Sequence, residues 1–140
     1  MHTLREIFTT YQFIIPFIVI SCAEIAQFVS DRVETGFWHR RLFAQGGMPS
    51  RHSAFVTSLV VVVGERMGLA STEFAIAMVF AGIVWYDAVV VRRTVAKQGR
   101  VLNTLQDFTE FSEEVGHSLV EVLAGIVFGL VLTLILFRIF

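Results

Sequence analysis

Four apolar stretches, each close to the thickness of a bilayer when coiled into a helix, constrain this chain more than any other feature. A spanning helix needs roughly 20 mostly apolar residues, within a range of about 17–25. Tyr11 to Val29, Phe74 to Val91 and Leu119 to Phe137 meet that length, and His52 to Gly68 is a shorter fourth stretch around the block Leu59-Val60-Val61-Val62-Val63. In lipid every backbone polar group must be satisfied within the element, so each stretch reads as a helix. The expected fold class is all-α: an integral membrane bundle of about four transmembrane helices, forming a single domain over residues 1–140. At 55% hydrophobic and 16% charged, the chain is greasier than soluble domains, which run to about 45–50% apolar and 25% charged residues. A water-surfaced enzyme, a disordered region and a disulfide scaffold are thereby excluded. The single cysteine, Cys22, reads as a small apolar residue of the first stretch.

Three connections remain. Ser30 to Arg51 is polar and contains glycine, Glu65 to Glu73 is short, and Thr94 to Gly116 ends acidic. Within the last, Leu102, Leu105, Phe108 and Phe111 recur every three residues, which predicts a short interfacial amphipathic helix. Eight of the eleven basic residues fall on one face of this topology: Arg32, Arg40, Arg41, Arg51, Arg92, Arg93, Lys97 and Arg100. By the positive-inside bias that face is cytoplasmic and both termini lie outside. Arginines kept for ligand binding weigh on the same count. With a formal net charge of −1, nucleic acid is not an expected partner.

The polar residues of the spans gather toward that same face. Glu24 and Gln27 end the first stretch; Ser50, His52 and Ser53 open the second. Asp87, Arg92 and Arg93 end the third, and His117 and Glu121 open the fourth. Ionisable groups at membrane depth cost at least ~2.5–3.5 kcal/mol each on insertion scales, so they are usually paired, inward-facing and functional. The plainer alternative is that each only pairs with a neighbour to hold the bundle together.

Two local patterns sharpen the reading. Gly46-Gly47-Met48-Pro49-Ser50-Arg51-His52-Ser53 is a glycine-rich turn entering a helix, with Ser50 as N-cap and free N–H groups behind it that favour an anion. A capped helix with an exposed histidine is its bland reading. His117 and Glu121 stand four apart, on one helix face, where the carboxylate can fix the imidazole tautomer and leave its other nitrogen free. Two histidines, a carboxylate and several arginines suit phosphoryl transfer, because guanidinium forks match phosphate oxygens. The rival is a metal held by His52, His117, Asp87 and Glu121, against which the surrounding arginines repel a cation. Gly125 and Gly129, with Gly82, read as close-packing positions within a subunit or across a dimer.

The block Gly46 to Ala54 resembles the signature of the divergent branch of the type 2 phosphatidic acid phosphatase superfamily, which is related to acid phosphatases and vanadium-dependent haloperoxidases. Phe74-Ala75-Ile76-Ala77, Tyr86-Asp87-Ala88, Val91-Arg92-Arg93, Gln98, Leu102-Asn103 and Gly116-His117 with Glu121 follow in the family's order. The resemblance covers Glu24 to Gly129. It implies that His117 is the nucleophile that becomes phosphorylated, that Glu121 orients it, and that His52 protonates the leaving group. The chain departs from the superfamily pattern in four places. Phe111-Ser112 stands where a Ser-Arg pair is usual. The first motif, a lysine followed by Arg-Pro, is unmatched. Ser30 takes a usual lysine position, and Arg51 replaces the small residue before the histidine.

The expectation is a membrane-embedded, metal-independent phosphatase acting on a lipid phosphate monoester such as phosphatidic acid, phosphatidylglycerophosphate or an isoprenoid phosphate. His117, His52 and Glu121 carry the chemistry, and Arg92, Arg93, Arg41, Arg40, Ser50 and Arg51 hold the phosphate. Asp87, Glu24 and Gln27 support the pocket. No metal or cofactor is required, the surrounding lipid and the lipid phosphate are the partners, and a homodimer is the expected assembly in a bacterial plasma membrane. The rivals are a non-catalytic lipid-phosphate binder or transporter, and a structural bundle.

Overall fold

The computed structural model describes residues 12–35, 47–106, 108–109, 111 and 116–139, and for 31–35 it describes the backbone. Five α-helices follow in order: α1 (Ile14–Thr35), α2 (Arg51–Met67), α3 (Thr72–Tyr86), α4 (Arg92–Leu105) and α5 (Leu119–Ile139). A π-helical turn, Asp87–Val91, joins α3 to α4 without a break. The described residues form an all-α bundle of four helical rods that alternate in direction along the chain, and among them there is no strand.

Two rods are long and apolar enough to cross a bilayer unaided: α5, and the continuous rod Thr72–Leu105. α1 carries a shorter apolar stretch, Ile14–Ser30, and runs on past the expected end at Val29 into polar sequence. Most large apolar side chains of α3 and α5, Ile76, Val79, Ile83, Val120 and Val127 among them, face outward. A helix that is hydrophobic all round is suited to lipid or to burial rather than to water.

α2 is the shortest rod and stands at the centre, packed by α1, α3 and α5. Its buried residues are Ser53, Ala54, Val56, Thr57, Ser58 and Val62. This explains its modest hydropathy: it is surrounded by other helices, so small residues matter more than greasy ones. Its hydroxyls are satisfied in place. The Thr57 hydroxyl donates to the Ser53 carbonyl (2.7 Å), and Thr133 of α5 donates to Ser58 (2.8 Å).

α5 lies against α2 through two glycines. A Cβ on Gly129 would sit 2.9 Å from the Ala54 Cα, and one on Gly125 would sit 3.0 Å from the Ser53 Cβ and closer still to the Ser50 carbonyl. The close-packing expectation is thus realised within the subunit for Gly125 and Gly129, whereas Gly82 faces open space. Gly129→Ala should therefore destabilise the protein by about 1–3 kcal/mol, the usual cost of overpacking. Gly82→Ala should cost nothing measurable. Thermal unfolding in detergent checks the contrast, and equal midpoints for the two variants would refute this packing.

The amphipathic helix is present but is placed differently from the expectation. It is α4, an extension of the third rod, and it ends at Leu105, where Gln106 turns extended. Phe108 and Phe111 lie beyond it. The Asn103 side chain bonds both backbone groups of Phe111 (2.9 Å each) and so turns the chain back.

Candidate functional site

The ends of α1 and α3 and the starts of α2 and α5 meet at one end of the bundle, as the topology predicts. Three contacts fix this arrangement. Arg51 of α2 pairs with Glu24 of α1 at 3.0 Å. The Ser50 N–H donates to the Glu121 carbonyl (3.1 Å), and the His117 N–H donates to the Ala88 carbonyl (3.1 Å).

The last contact follows from the π-turn. In an α-helix the Ala88 carbonyl would accept from Arg92. Here the Arg92 N–H donates to Asp87 instead, so the Ala88 carbonyl is released and takes the His117 N–H. π-turns of this kind recur at functional sites. The wider turn also lets the Arg92 Nε reach the Asp87 carboxylate at 2.8 Å, although residues five apart do not share a face in an α-helix. Gly116 completes the docking. It holds φ +107, and a Cβ there would meet the Arg93 backbone nitrogen at 2.9 Å. Only glycine combines that backbone conformation with so close an approach.

His117 is buried, with 6% of its surface exposed. Its Nδ1 lies 3.2 Å from the Glu121 carboxylate. The same carboxylate oxygen accepts the Ser118 N–H (2.8 Å), while the Ser118 hydroxyl accepts the Glu121 N–H (3.3 Å). Ser118 and Glu121 therefore form a capping box at the start of α5. Glu121 holds the helix terminus and the imidazole together, and with Nδ1–H directed at the carboxylate, Nε2 carries the free lone pair. His117 stands two residues ahead of the span. Burial pushes its pKa below the usual 6.5, the bond and charge of Glu121 pull it back up, and Arg92 and Arg51 push it down again.

His52 is half-buried in the first turn of α2. It feels the charges of Arg51, Arg92, His117 and Asp87, so the two histidines and two arginines share one electrostatic neighbourhood. Ser50 is the N-cap, fully buried, but its hydroxyl bonds Ser53 (3.0 Å) and caps no N–H. Gln27 is buried against Gly47.

The structure brings together His117, Glu121, His52, Ser50, Arg51, Arg92, Asp87, Glu24 and Gln27. Arg51 and Arg92 each already hold a carboxylate, an arrangement the expectation of phosphate-binding arginines did not contain. Arg93 is exposed and has no ion-pair partner among the described residues. Arg40 and Arg41 lie outside the described residues. Among the described residues no three of His, Cys, Asp and Glu come together as a metal-ligand group. Sequence reasoning missed Ser118, and it marked Gly116 and Ala88 as motif residues without the docking role that the Gly116 backbone and the Ala88 carbonyl play. The Ser-x-x-Glu pattern marks the first of these, whereas nothing in Asp87–Val91 marks the π-turn.

The sequence model of a family described as the Divergent PAP2 family matches residues 8–132. The chain is also similar to the uncharacterized membrane protein YuiD of Bacillus subtilis (strain 168). The two are 39% identical over 111 residues, which is 65% of this chain and 70% of that protein. No solved structure matches.

Proposed function

The chain belongs to the Divergent PAP2 family, and from that premise we propose that it is a membrane-embedded phosphatase that hydrolyses a lipid phosphate monoester through a phosphohistidine. The observation that carries the reading is His117, buried, held at Nδ1 by Glu121 and placed in the same neighbourhood as His52, Arg51 and Arg92. The His117 Nε2 attacks phosphorus, and Glu121 stabilises the imidazolium that forms. His52 protonates the departing oxygen and then activates water to release phosphate. Arg92, Arg93, Arg51 and the N–H groups after Ser50 hold the phosphoryl oxygens, with Arg40 and Arg41 as further donors. Arg51 and Arg92 exchange a carboxylate for a phosphate when the substrate enters. The substrate classes are phosphatidic acid, phosphatidylglycerophosphate and isoprenoid phosphates. The site faces the cytoplasm of a bacterial plasma membrane, and the protein works as a homodimer.

The test is phosphate release by the purified protein in lipid–detergent micelles, across those three substrate classes, with and without chelator. Chelator-resistant release supports the reading. Tight binding of a phosphorylated lipid with no release would replace it by a binder, for which the pre-paired arginines are the favouring observation. Release abolished by chelator would replace it by metal chemistry.

The pH profile gives a second check. Attack needs neutral His117, whose pKa burial holds below 6.5. His117 therefore sets the acid limb, on which activity falls as the pH drops through its lowered pKa, and the need for a protonated His52 sets a separate alkaline limb. Glu121→Gln keeps the capping box, which accepts Gln, and removes the charge that raises His117. The acid limb of kcat/KM should shift further down, and the plateau should fall about 10²-fold or more. The difference between the two profiles is the readout, because the substrate's own phosphate titrates equally in both. An unmoved limb would show that Glu121 does not act on His117.

A further inference from the structure

α3, the π-turn and α4 make one rod, Thr72–Leu105, of 34 residues, about 51 Å long at about 1.5 Å per residue. A bilayer core is only about 30 Å thick, or about 40–45 Å with its headgroup layers. The rod therefore outruns the core by about 21 Å. The excess matches α4, whose 14 residues follow the 15 of α3 and the five of the π-turn. The chemistry changes at the same place. Between Thr72 and Val91 the charged residues are Glu73 and Asp87, whereas α4 carries Arg92, Arg93, Lys97 and Arg100 and no acid. α4 also leaves the bundle. Among the described helices it packs closely on the π-turn alone, and of its own residues only Gly99 is buried.

Arg92 is turned to Asp87. Arg93, Lys97 and Arg100 fall within about 60° of one another, some 80–140° around the helix from Arg92, and all three are exposed. Val95 and Leu102 take the opposite side. Counted from Val91 as the edge of the core, Arg93 stands about 3 Å out, Lys97 about 9 Å and Arg100 about 14 Å. The headgroup layer is about 5–8 Å deep. Arg93 thus lies inside it, and the Lys97 side chain snorkels back into it. Arg100 stands within a screening length, about 8 Å, of its surface.

We propose that Arg93, Lys97 and Arg100 form a docking surface for the anionic phospholipid headgroups of the leaflet through which α4 leaves, and that this surface gathers phosphorylated lipid beside the histidine site. The gathering role rests on the phosphatase reading above; the docking surface does not. Charge is the first argument, because a basic cluster directly outside a spanning helix attracts anionic lipid. Height is the second. A bilayer sets its phosphates at the level of Arg93 and Lys97, whereas an acidic protein partner requires no particular level. The site is close by: the Ala88 carbonyl, which holds the His117 N–H, lies five positions before Arg93, about 8 Å along the rod.

Lys97 is the single lysine of the chain, so a water-soluble amine-acylating reagent reports on it by mass spectrometry. The full chain is compared in nanodiscs of phosphatidylcholine with and without phosphatidylglycerol. A soluble lysine peptide in the same discs corrects for the reagent. Acylation of Lys97 should be about fivefold slower with phosphatidylglycerol, the scale of one basic residue's attraction to an anionic surface. The protection should vanish at about 1 M salt, where the screening length is about 3 Å. Arg100→Gln should shrink it and Arg100→Lys should keep it. Equal rates in the two discs overturn the proposal. Slow acylation in both discs alike, relieved in discs that hold one copy of the chain, would assign the stripe to a second copy and also overturn it.

Turnover supplies the other half. With phosphatidic acid diluted into phosphatidylcholine discs, Lys97→Gln should raise the KM, expressed as mole fraction, by about fivefold and leave kcat unchanged. Lys97→Arg should leave both unchanged. A protected Lys97 whose loss does not move the KM would overturn the gathering role, and a protected Lys97 in a protein that releases no phosphate would reject the phosphatase while keeping the docking surface.

Discussion

Replacing His117 by alanine should lower phosphate release by about 10⁴-fold or more, the scale seen when a nucleophile is removed from a covalent mechanism. The fold should survive, because what anchors this residue is its backbone. Its N–H donates to the Ala88 carbonyl, and the neighbouring Gly116 fits against the Arg92-Arg93 backbone. Both contacts persist in the variant. The capping box of Ser118 and Glu121 also persists. A structural role for the ring predicts a different result, namely a lowered unfolding midpoint with activity reduced in proportion. Brief incubation with radiolabelled substrate, followed by alkaline quenching, should leave acid-labile phosphate on wild type and none on His117→Ala. Unchanged turnover in a pure preparation of the variant would remove His117 from the mechanism.

The route from sequence to this site was open in some places and closed in others. The convergence of four span ends was legible because each rod alternates direction, so the polar residues at Glu24, His52, Asp87 and His117 had to share one end. Each is held at that end by a contact or a neighbouring charge. The central position of α2 was harder to see. Its serines and threonines lower its hydropathy, and a scale that measures transfer to lipid cannot tell a weak span from a span wrapped by other helices. Thr133 meeting Ser58 is the kind of contact that such a scale cannot register.

The amphipathic helix was misplaced for a geometric reason. A strict spacing of three turns each successive residue back by about 60° on a 3.6-residue helix, so Leu102 and Phe111 cannot share a face. The helix ends at Leu105 and Asn103 folds the chain back. The arginines were only half legible. Charge marks Arg51 and Arg92 as costly in a membrane, but not whether a phosphate or a carboxylate offsets the cost. Glu24 lies twenty-seven positions from Arg51, a pairing that only the packing of α1 on α2 reveals. The π-turn left no trace at all. Asp-Ala-Val-Val-Val is ordinary apolar helix by composition, yet one shifted hydrogen bond there positions His117.

His52 should separate the two halves of the reaction. His52→Ala removes the general acid, and with a lipid phosphate, whose alkoxide cannot leave unprotonated, the rate should fall about 10²–10⁴-fold. With p-nitrophenyl phosphate the first step should survive, because nitrophenolate departs without a proton. The second step needs His52 as base, so the phosphohistidine on His117 should accumulate. The expected signature is a burst of nitrophenolate equal in amount to the enzyme, followed by slow turnover, with no burst from the lipid substrate. His52 stands half-buried in the first turn of α2, in the same electrostatic neighbourhood as Arg51, Arg92 and His117, the place this two-step role requires. If both substrates instead slow equally and without a burst, His52 does not transfer the proton and serves only to complete the charge balance of the site.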